Sequence, residues 1–243
     1  MNHRLFGLKY HTLNLSQTVH KICSSIDENK KIVRADINVG TITSSQRDIK
    51  LQEFINSSDI VNIDGAGAIL GAKILRLPVP ERITGVDLFM KLIEVAQERA
   101  YSIYLLGSTK ETLESLKKIL LIEHPKLKLV GVHDGYFWGH EDEVIAEINS
   151  LRPNILFIGI KSPEKEYFQL NYANILNVNL IMGVGGSFDV AAGKVKRAPA
   201  WIQNMCLEWL FRVYQEPKRM WKRYLTSNLL FTKMLIAAKL KKL

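Results

Sequence analysis

An α/β fold, Rossmann-like with a mostly parallel sheet and helices on both faces, is predicted by three features of this 243-residue chain. Apolar runs of strand length recur along it. Segments with apolar residues at three- and four-residue spacing lie between them. The runs end in Gly, Asp and Ser turns, as expected where ligands meet the carboxyl ends of parallel strands.

The runs are KIVRADINV (31–39), DIVNID (59–64), SIYLLGS (102–108), KLVGV (128–132), NILFIGI (154–160) and NLIMGVGG (179–186). After Ser108, TLESLKKILLIEH carries helical periodicity, and EDEVIAEINSL does so after His140, with acids in its first turn. The turns are Asp64-Gly65-Ala66-Gly67, Leu106-Gly107-Ser108, Asp134-Gly135-Tyr136 and Gly183-Val184-Gly185-Gly186-Ser187. From Pro199 the strand signal gives way to helix, and Pro217 is placed to begin a new one. The expected division is an α/β core over 1–198 and a helical, basic appendage over 199–243.

Charge marks the same division. From Lys194 onward there are twelve Lys/Arg against Glu208 and Glu216, which leaves 21 basic and 22 acidic groups in residues 1–193. A near-neutral body with a cationic, aromatic end suits an anionic surface: phospholipid, nucleic acid or a diphosphate. Trp201, Trp209, Phe211, Tyr214, Trp221 and Tyr224 could stack on bases, sit at the headgroup level, or be buried against the body.

The chain is 47% apolar, which excludes disorder, and no apolar stretch reaches the length of about 20 residues that a spanning helix needs. The start lacks the pattern of a signal peptide. Cys23 and Cys206 form no metal-ligand spacing, so a reducing cytoplasm is expected and no disulfide framework. The six histidines pair with no Cys, Asp or Glu at metal-site spacing, and neither a nucleophile elbow nor a Walker motif occurs. No Asp-x-Asp pair is present to hold a divalent ion, so neither metal nor cofactor is expected.

Asp64 follows the strand IVNI and precedes small residues. It is either a general base at a strand end or the cap of the next helix. The glycines 183, 185 and 186 could bring backbone N–H groups to a phosphate, with Asp189 accepting from a base or sugar; a tight turn with a capping Asp is the plainer alternative. Phe188 stands where a dinucleotide fingerprint would have its third glycine. Arg82 could neutralise a diphosphate, or could pair with Asp87.

Taken in order, Asn38, Asp64-Gly65, Arg82-x-x-Gly85-x-Asp87-Leu88, Tyr104-Leu105-Leu106-Gly107, Gly135-Tyr136-Phe137, Ser162-Pro163-x-x-Glu166, Gly183 to Asp189, Lys196-Arg197-Ala198-Pro199, Leu207-Glu208-Trp209-Leu210-x-Arg212 and Glu216-Pro217-x-Arg219 resemble the WecG/TagA/CpsF glycosyltransferases. The resemblance covers about residues 30–225. It implies a metal-independent, inverting transfer of N-acetylmannosamine or another hexose from a UDP-sugar to a polyprenyl-diphosphate-linked sugar. Such transfer would take place at the inner face of the bacterial membrane, in the synthesis of a cell-surface polysaccharide.

On this sequence, the resemblance makes Asp64 the base and sets Arg82 against the leaving diphosphate. Asp36, Asn38, Gly107, Tyr136, Lys165, Gly185, Gly186 and Asp189 would surround the donor. Arg212, Arg219 and Arg223 would meet the lipid diphosphate and the membrane. Two departures fall in the expected sugar pocket. Asp36 stands where the family has Thr, and Lys165 where it has Gln, which opens the choice of hexose, including an anionic sugar that pairs with Lys165. A homo-oligomer is left open. The rivals are a nucleic-acid-binding module using the tail, which the resemblance sets aside, and a nicotinamide-dependent oxidoreductase, disfavoured by the missing third glycine.

Overall fold

The computed structural model describes residues 2–240 apart from 80, 200, 203, 204 and 206, with nothing said of the side chains of 2 and 219. Cys206 thus lies outside the described residues; Cys23 is buried.

The chain opens with a hairpin, β1 (Asn2–Leu5) and β2 (Leu8–His11), which the apolar runs did not predict. Its two-residue turn, Phe6-Gly7, has positive φ at both positions, the geometry that suits the twist of paired strands. Next come α1 (Leu15–Asp27), β3 (Ile32–Ile37), α2 (Val39–Ser45), α3 (Ile49–Ser57), β4 (Ile60–Ile63), α4 (Ala66–Ile74) and α5 (Gly85–Glu98). They are followed by β5 (Ser102–Gly107), α6 (Lys110–Glu123), β6 (Lys128–His133), α7 (Glu141–Leu151), β7 (Ile155–Gly159), α8 (Glu164–Tyr172), β8 (Leu180–Gly183) and α9 (Ser187–Ala191). The appendage supplies α10 (Glu208–Gln215) and α11 (Pro217–Leu240). Pro217 does open α11.

β3 to β8 form a six-stranded, entirely parallel sheet in the order β4-β3-β8-β7-β5-β6. Alternation along the strands divides the core. Ile155 and Phe157 of β7 enter one layer with α1, α5 and α6, while Leu156 and Ile158 enter another with α7 and α8. A third cluster joins β1, β2, α2, α3 and α4 under the β3–β4 end of the sheet.

Two places in this sheet open toward its carboxyl edge. β3 pairs with β8 only through Arg34 opposite Met182, yet continues along β4 to Ile37. Chain leaving β5 turns outward to β6, whereas chain leaving β7 turns back to β8, which makes a crevice between them.

The appendage returns to the body. Phe231 of α11 is buried in the third cluster, edge-on to Phe6, and Met234, Leu235 and Ala238 pack beside it. Gly71 of α4 makes room: a β-carbon there would stand 2.5 Å from Phe231 Cζ. Among the described residues no helix is long and apolar enough to cross a membrane.

Phe231→Ala is therefore expected to cost about 3 kcal/mol in urea unfolding and to expose residues 207–240 to protease. Leu229→Ala, at a largely exposed position of the same helix, is expected to change stability by no more than about 0.5 kcal/mol. Equal losses in the two variants would place the docking contact elsewhere.

Candidate active site

Period-two alternation sets Arg34, Asp36 and Asn38 on one face of β3. The parallel register sets Asn62 beside Asp36, and the next turn brings in Asp64, whose N–H donates to Ile37 O at 3.0 Å. Arg34 is fully buried; its Nε donates to Asn62 Oδ1 at 3.0 Å and its Nη1 to Asp36 Oδ1 at 3.1 Å. Lys165, from the first turn of α8, lies 3.5 Å from the same Asp36 oxygen and 3.1 Å from Glu166 Oε1.

Asp64 does not cap α4. The cap position is Gly65, with no side-chain hydrogen bond, and a β-carbon on Gly65 would meet Asn38 Cβ at 2.9 Å. The capping reading of Asp64 thus fails, and its carboxylate is left among charges. Burial, joined by the charge of Asp36 and opposed by Arg34 and Arg212, pushes this carboxyl up to about 6. Asp36 behaves oppositely: burial raises it, but Lys165 and Arg34 together hold it below the usual carboxylate range. Burial disfavours the Lys165 ammonium, and Asp36 and Glu166 more than restore it. Asn38 caps α2, accepting from Thr41 N at 3.1 Å through Oδ1, an arrangement that does not use its Nδ2.

Arg82 reaches the site because Ile83 N donates to Ile63 O at 3.2 Å, laying its segment against the end of β4. It does not pair with Asp87, which is bound by Arg197 at 2.6 Å and by the Thr84 hydroxyl at 2.6 Å. Its partner is Glu208 of α10, 3.4 Å away. Arg212, one turn on, faces Asp64 and also lines a small cleft with Gly186, Asp189 and Met220. Arg223 of α11 lies by Gly40, where a β-carbon would stand 3.7 Å from its Nη2. The Arg219 side chain lies outside the described residues.

The glycine turns meet at the second opening. Gly107, at φ +120°, lies against the Gly159 backbone so closely that a β-carbon would be 2.6 Å from its carbonyl carbon. Ser108 Oγ donates to Asp189 Oδ1 at 3.2 Å, and Gly135 N to Ser108 O at 2.9 Å. Gly186 begins α9 and Gly185 has positive φ, so Asp189 is not a capping residue. Tyr136 follows Gly135, 77% exposed.

The expected residues thus fall into a charged group around Asp64 and a glycine-lined group around Asp189, joined by Arg212. Sequence reasoning gave no role to Arg34, Glu208 or Ser108, and it set Tyr224 among the tail aromatics and not beside Asp64. The signal for Arg34 was a charge two residues before Asp36 in an apolar strand. Tyr224 faces Asp64, Arg212 and Arg223, and its phenol is raised by burial. Its ring helps line an apolar cavity of about 350 Å³ between α10 and α11, with Trp209, Val213, Trp221, Leu225 and Leu229. Of the tail aromatics, Trp201, Trp209, Tyr214 and Trp221 are exposed. Among the described residues, no group of three His, Cys, Asp or Glu could hold a metal ion.

Comparison with known proteins gives this arrangement a context. A protein of Bacillus subtilis (strain 168) named N-acetylglucosaminyldiphosphoundecaprenol N-acetyl-beta-D-mannosaminyltransferase is 30% identical over 203 residues, covering 83% of this chain and 78% of that protein. Its namesake from Bacillus spizizenii is 30% identical over 213 residues, 85% of this chain and 80% of the relative. Among solved structures, 2,3-dimethylmalate lyase spans 93% of this chain and 99% of its own at 12% identity and a TM-score of 0.26, too remote a likeness to bear on the fold. The sequence model of the glycosyl transferase WecG/TagA/CpsF family matches residues 3–243, and the chain belongs to that glycosyltransferase family.

Proposed function

We propose that this enzyme transfers a hexose, N-acetylmannosamine or a relative, from a UDP-sugar to a sugar carried on a polyprenyl diphosphate, with inversion and without a metal ion. The observation that carries the reading is Asp64: a carboxylate kept protonatable near neutral pH at a strand end, flanked by arginines from body and appendage. The acceptor's name in the relatives supports the second substrate.

Asp64 takes the proton of the acceptor hydroxyl as its oxygen bonds to the anomeric carbon. The bond from that carbon to the diphosphate oxygen breaks on the opposite face, and UDP leaves with the electron pair. Arg82 and Arg212 stand where that negative charge grows, so they stabilise the transition state more than the bound donor. Binding of a diphosphate exchanges Arg82's contact with Glu208 for one with phosphate. Gly107, Gly185, Gly186 and Asp189 hold the nucleotide, Tyr136 covers it, and Asn38 orients the sugar through Nδ2.

The appendage suits a lipid-borne acceptor. Trp221, Leu225 and Leu229 recur at helical spacing on α11, all exposed, beside Lys218 and Lys222. We place this face on the anionic inner surface of the membrane, with Arg223 toward the lipid diphosphate.

Asp64→Asn is expected to lower kcat by about 100-fold or more, with UDP binding within a few-fold of wild type. In the wild type, kcat is expected to fall as pH drops through about 6, because only the ionised carboxylate accepts a proton. UDP release from a panel of nucleotide sugars, assayed in EDTA with a lipid-diphosphate acceptor, checks both. Near-normal turnover by the variant would remove Asp64 from the mechanism, and strict dependence on added Mg²⁺ would remove metal independence.

Truncating the appendage would uncover the seat of Phe231, so charge reversal is the cleaner test of membrane attachment. Lys218→Glu/Lys222→Glu should release the protein from anionic vesicles, at about 1 kcal/mol for each basic group lost, and salt should weaken wild-type attachment. Unchanged flotation with vesicles, or tight salt-dependent binding of DNA instead, would reassign the cationic face.

A further inference from the structure

The end of β3 holds more buried charge than a sugar pocket requires. Arg34, Asp36, Lys165 and Glu166 have side chains no more than 12% exposed, and they form one connected ion-pair cluster. Lys165 reaches Asp36 over Gly183, where a β-carbon would stand 3.0 Å from Lys165 Cδ and 3.3 Å from its Nζ. Two cations face two anions, so the cluster is neutral by itself. Lys165 has no unbalanced charge to offer an anionic sugar.

Burying four charges brings little stability, because desolvation offsets their attraction. What the contacts do fix is the position of one oxygen, Asp36 Oδ1, which receives both Arg34 and Lys165. Asp36 stands opposite Asn62 in the register of β3 and β4, Asp64 follows two residues on, just past the end of β4, and like charges in such a site resist joint ionisation. The partners decide which carboxylate carries the proton. Asp36 has two direct cations, whereas among the described residues no cation comes within ion-pairing distance of Asp64. The charged and titratable groups facing Asp64 are Arg34 and Asp36 from β3, Arg212 and Glu208 from α10, and Tyr224 from α11.

We propose that Asp36, pinned by Arg34 and Lys165, is a positioning residue: a fixed negative neighbour that makes Asp64 an effective proton acceptor, in place of a contact to the donor sugar. The proposal rests on Asp64 being the base. It also joins the two departures from the family pattern as one change, since an Asp at 36 and a Lys at 165 enter together as a pair that leaves the charge of the cluster balanced.

The test is the pH dependence of kcat, with donor KM, for the wild type, Asp36→Asn, Lys165→Gln and the double variant. Asp36→Asn leaves Lys165 paired with Glu166 and Arg34 bonded to Asn62, and thermal melting checks its fold. Its acid limb is expected to move down by roughly one pH unit, with kcat several-fold lower at neutral pH and donor KM within about twofold. The double variant keeps the cluster neutral overall, with Arg34 and Glu166 remaining; it is expected to show the same shifted limb and serves if the single variant folds poorly. Lys165→Gln alone should lose most activity, and the second substitution should recover part of it. An unmoved acid limb with a raised donor KM in both Asp36 variants would overturn the proposal and make Asp36 a sugar contact. If Asp64→Asn itself turned over normally, the base assignment would fail first, so the two failures are distinguishable.

Discussion

Phe231 rests on Gly71 with no room for a β-carbon between them, and that seat helps fix the long helix whose neighbour carries Glu208 and Arg212 into the site. A phenylalanine here buries apolar area against α4 and Phe6, enough to hold a helix that is otherwise largely wet. With α11 fixed, α10 lies across the carboxyl edge of the sheet. Glu208 then meets Arg82, and Arg212 stands between Asp64 and the Asp189 cleft. A body near neutrality and an appendage rich in cations thereby share one site, with Arg82 from the first and Arg212 from the second.

Within that site the decisive effect is how two carboxylates divide their surroundings. Both lose water, which favours the protonated form of each. Direct contacts with Arg34 and Lys165 reverse the effect for Asp36; for Asp64, Arg34 and Arg212 act without direct ion pairs and do not. Separation of this kind is how two similar groups come to hold different roles at one pH. In the proposed mechanism Arg82, 3.4 Å from Glu208 in a partly exposed ion pair, would give up that contact at little cost.

The strands and their ends were legible because buried parallel strands read as apolar runs and their turns require Gly, Asp or Ser. Asp64 and the glycine turn stood out for that reason, and the ordered motif set gave the reading that implies a catalytic and a nucleotide-binding role for them. The β1–β2 hairpin was not legible: its strands are four residues each, and its turn is Phe-Gly instead of the commoner Asn-Gly. Nor could the Asp36–Lys165 pair be seen, since its members are 129 residues apart and meet only over Gly183. Position 36 was expected at the donor because the resemblance puts it in the sugar pocket, a reading that did not include its partners Arg34 and Lys165. Glu208 was visible within a motif, yet its grip on Arg82 depends on how α10 is laid down.

The central claim, that this fold sets Asp64 apart as the carboxylate able to exchange a proton near neutral pH, is tested most directly by carboxyl ¹³C NMR. Protein labelled at aspartate would be titrated, with the Asp64→Asn and Asp36→Asn variants assigning the two resonances. The account predicts that the Asp64 signal titrates near pH 6 while the Asp36 signal stays that of an ionised carboxylate throughout that range. An Asp64 signal titrating at about 4, as an aspartate in water does, would contradict it.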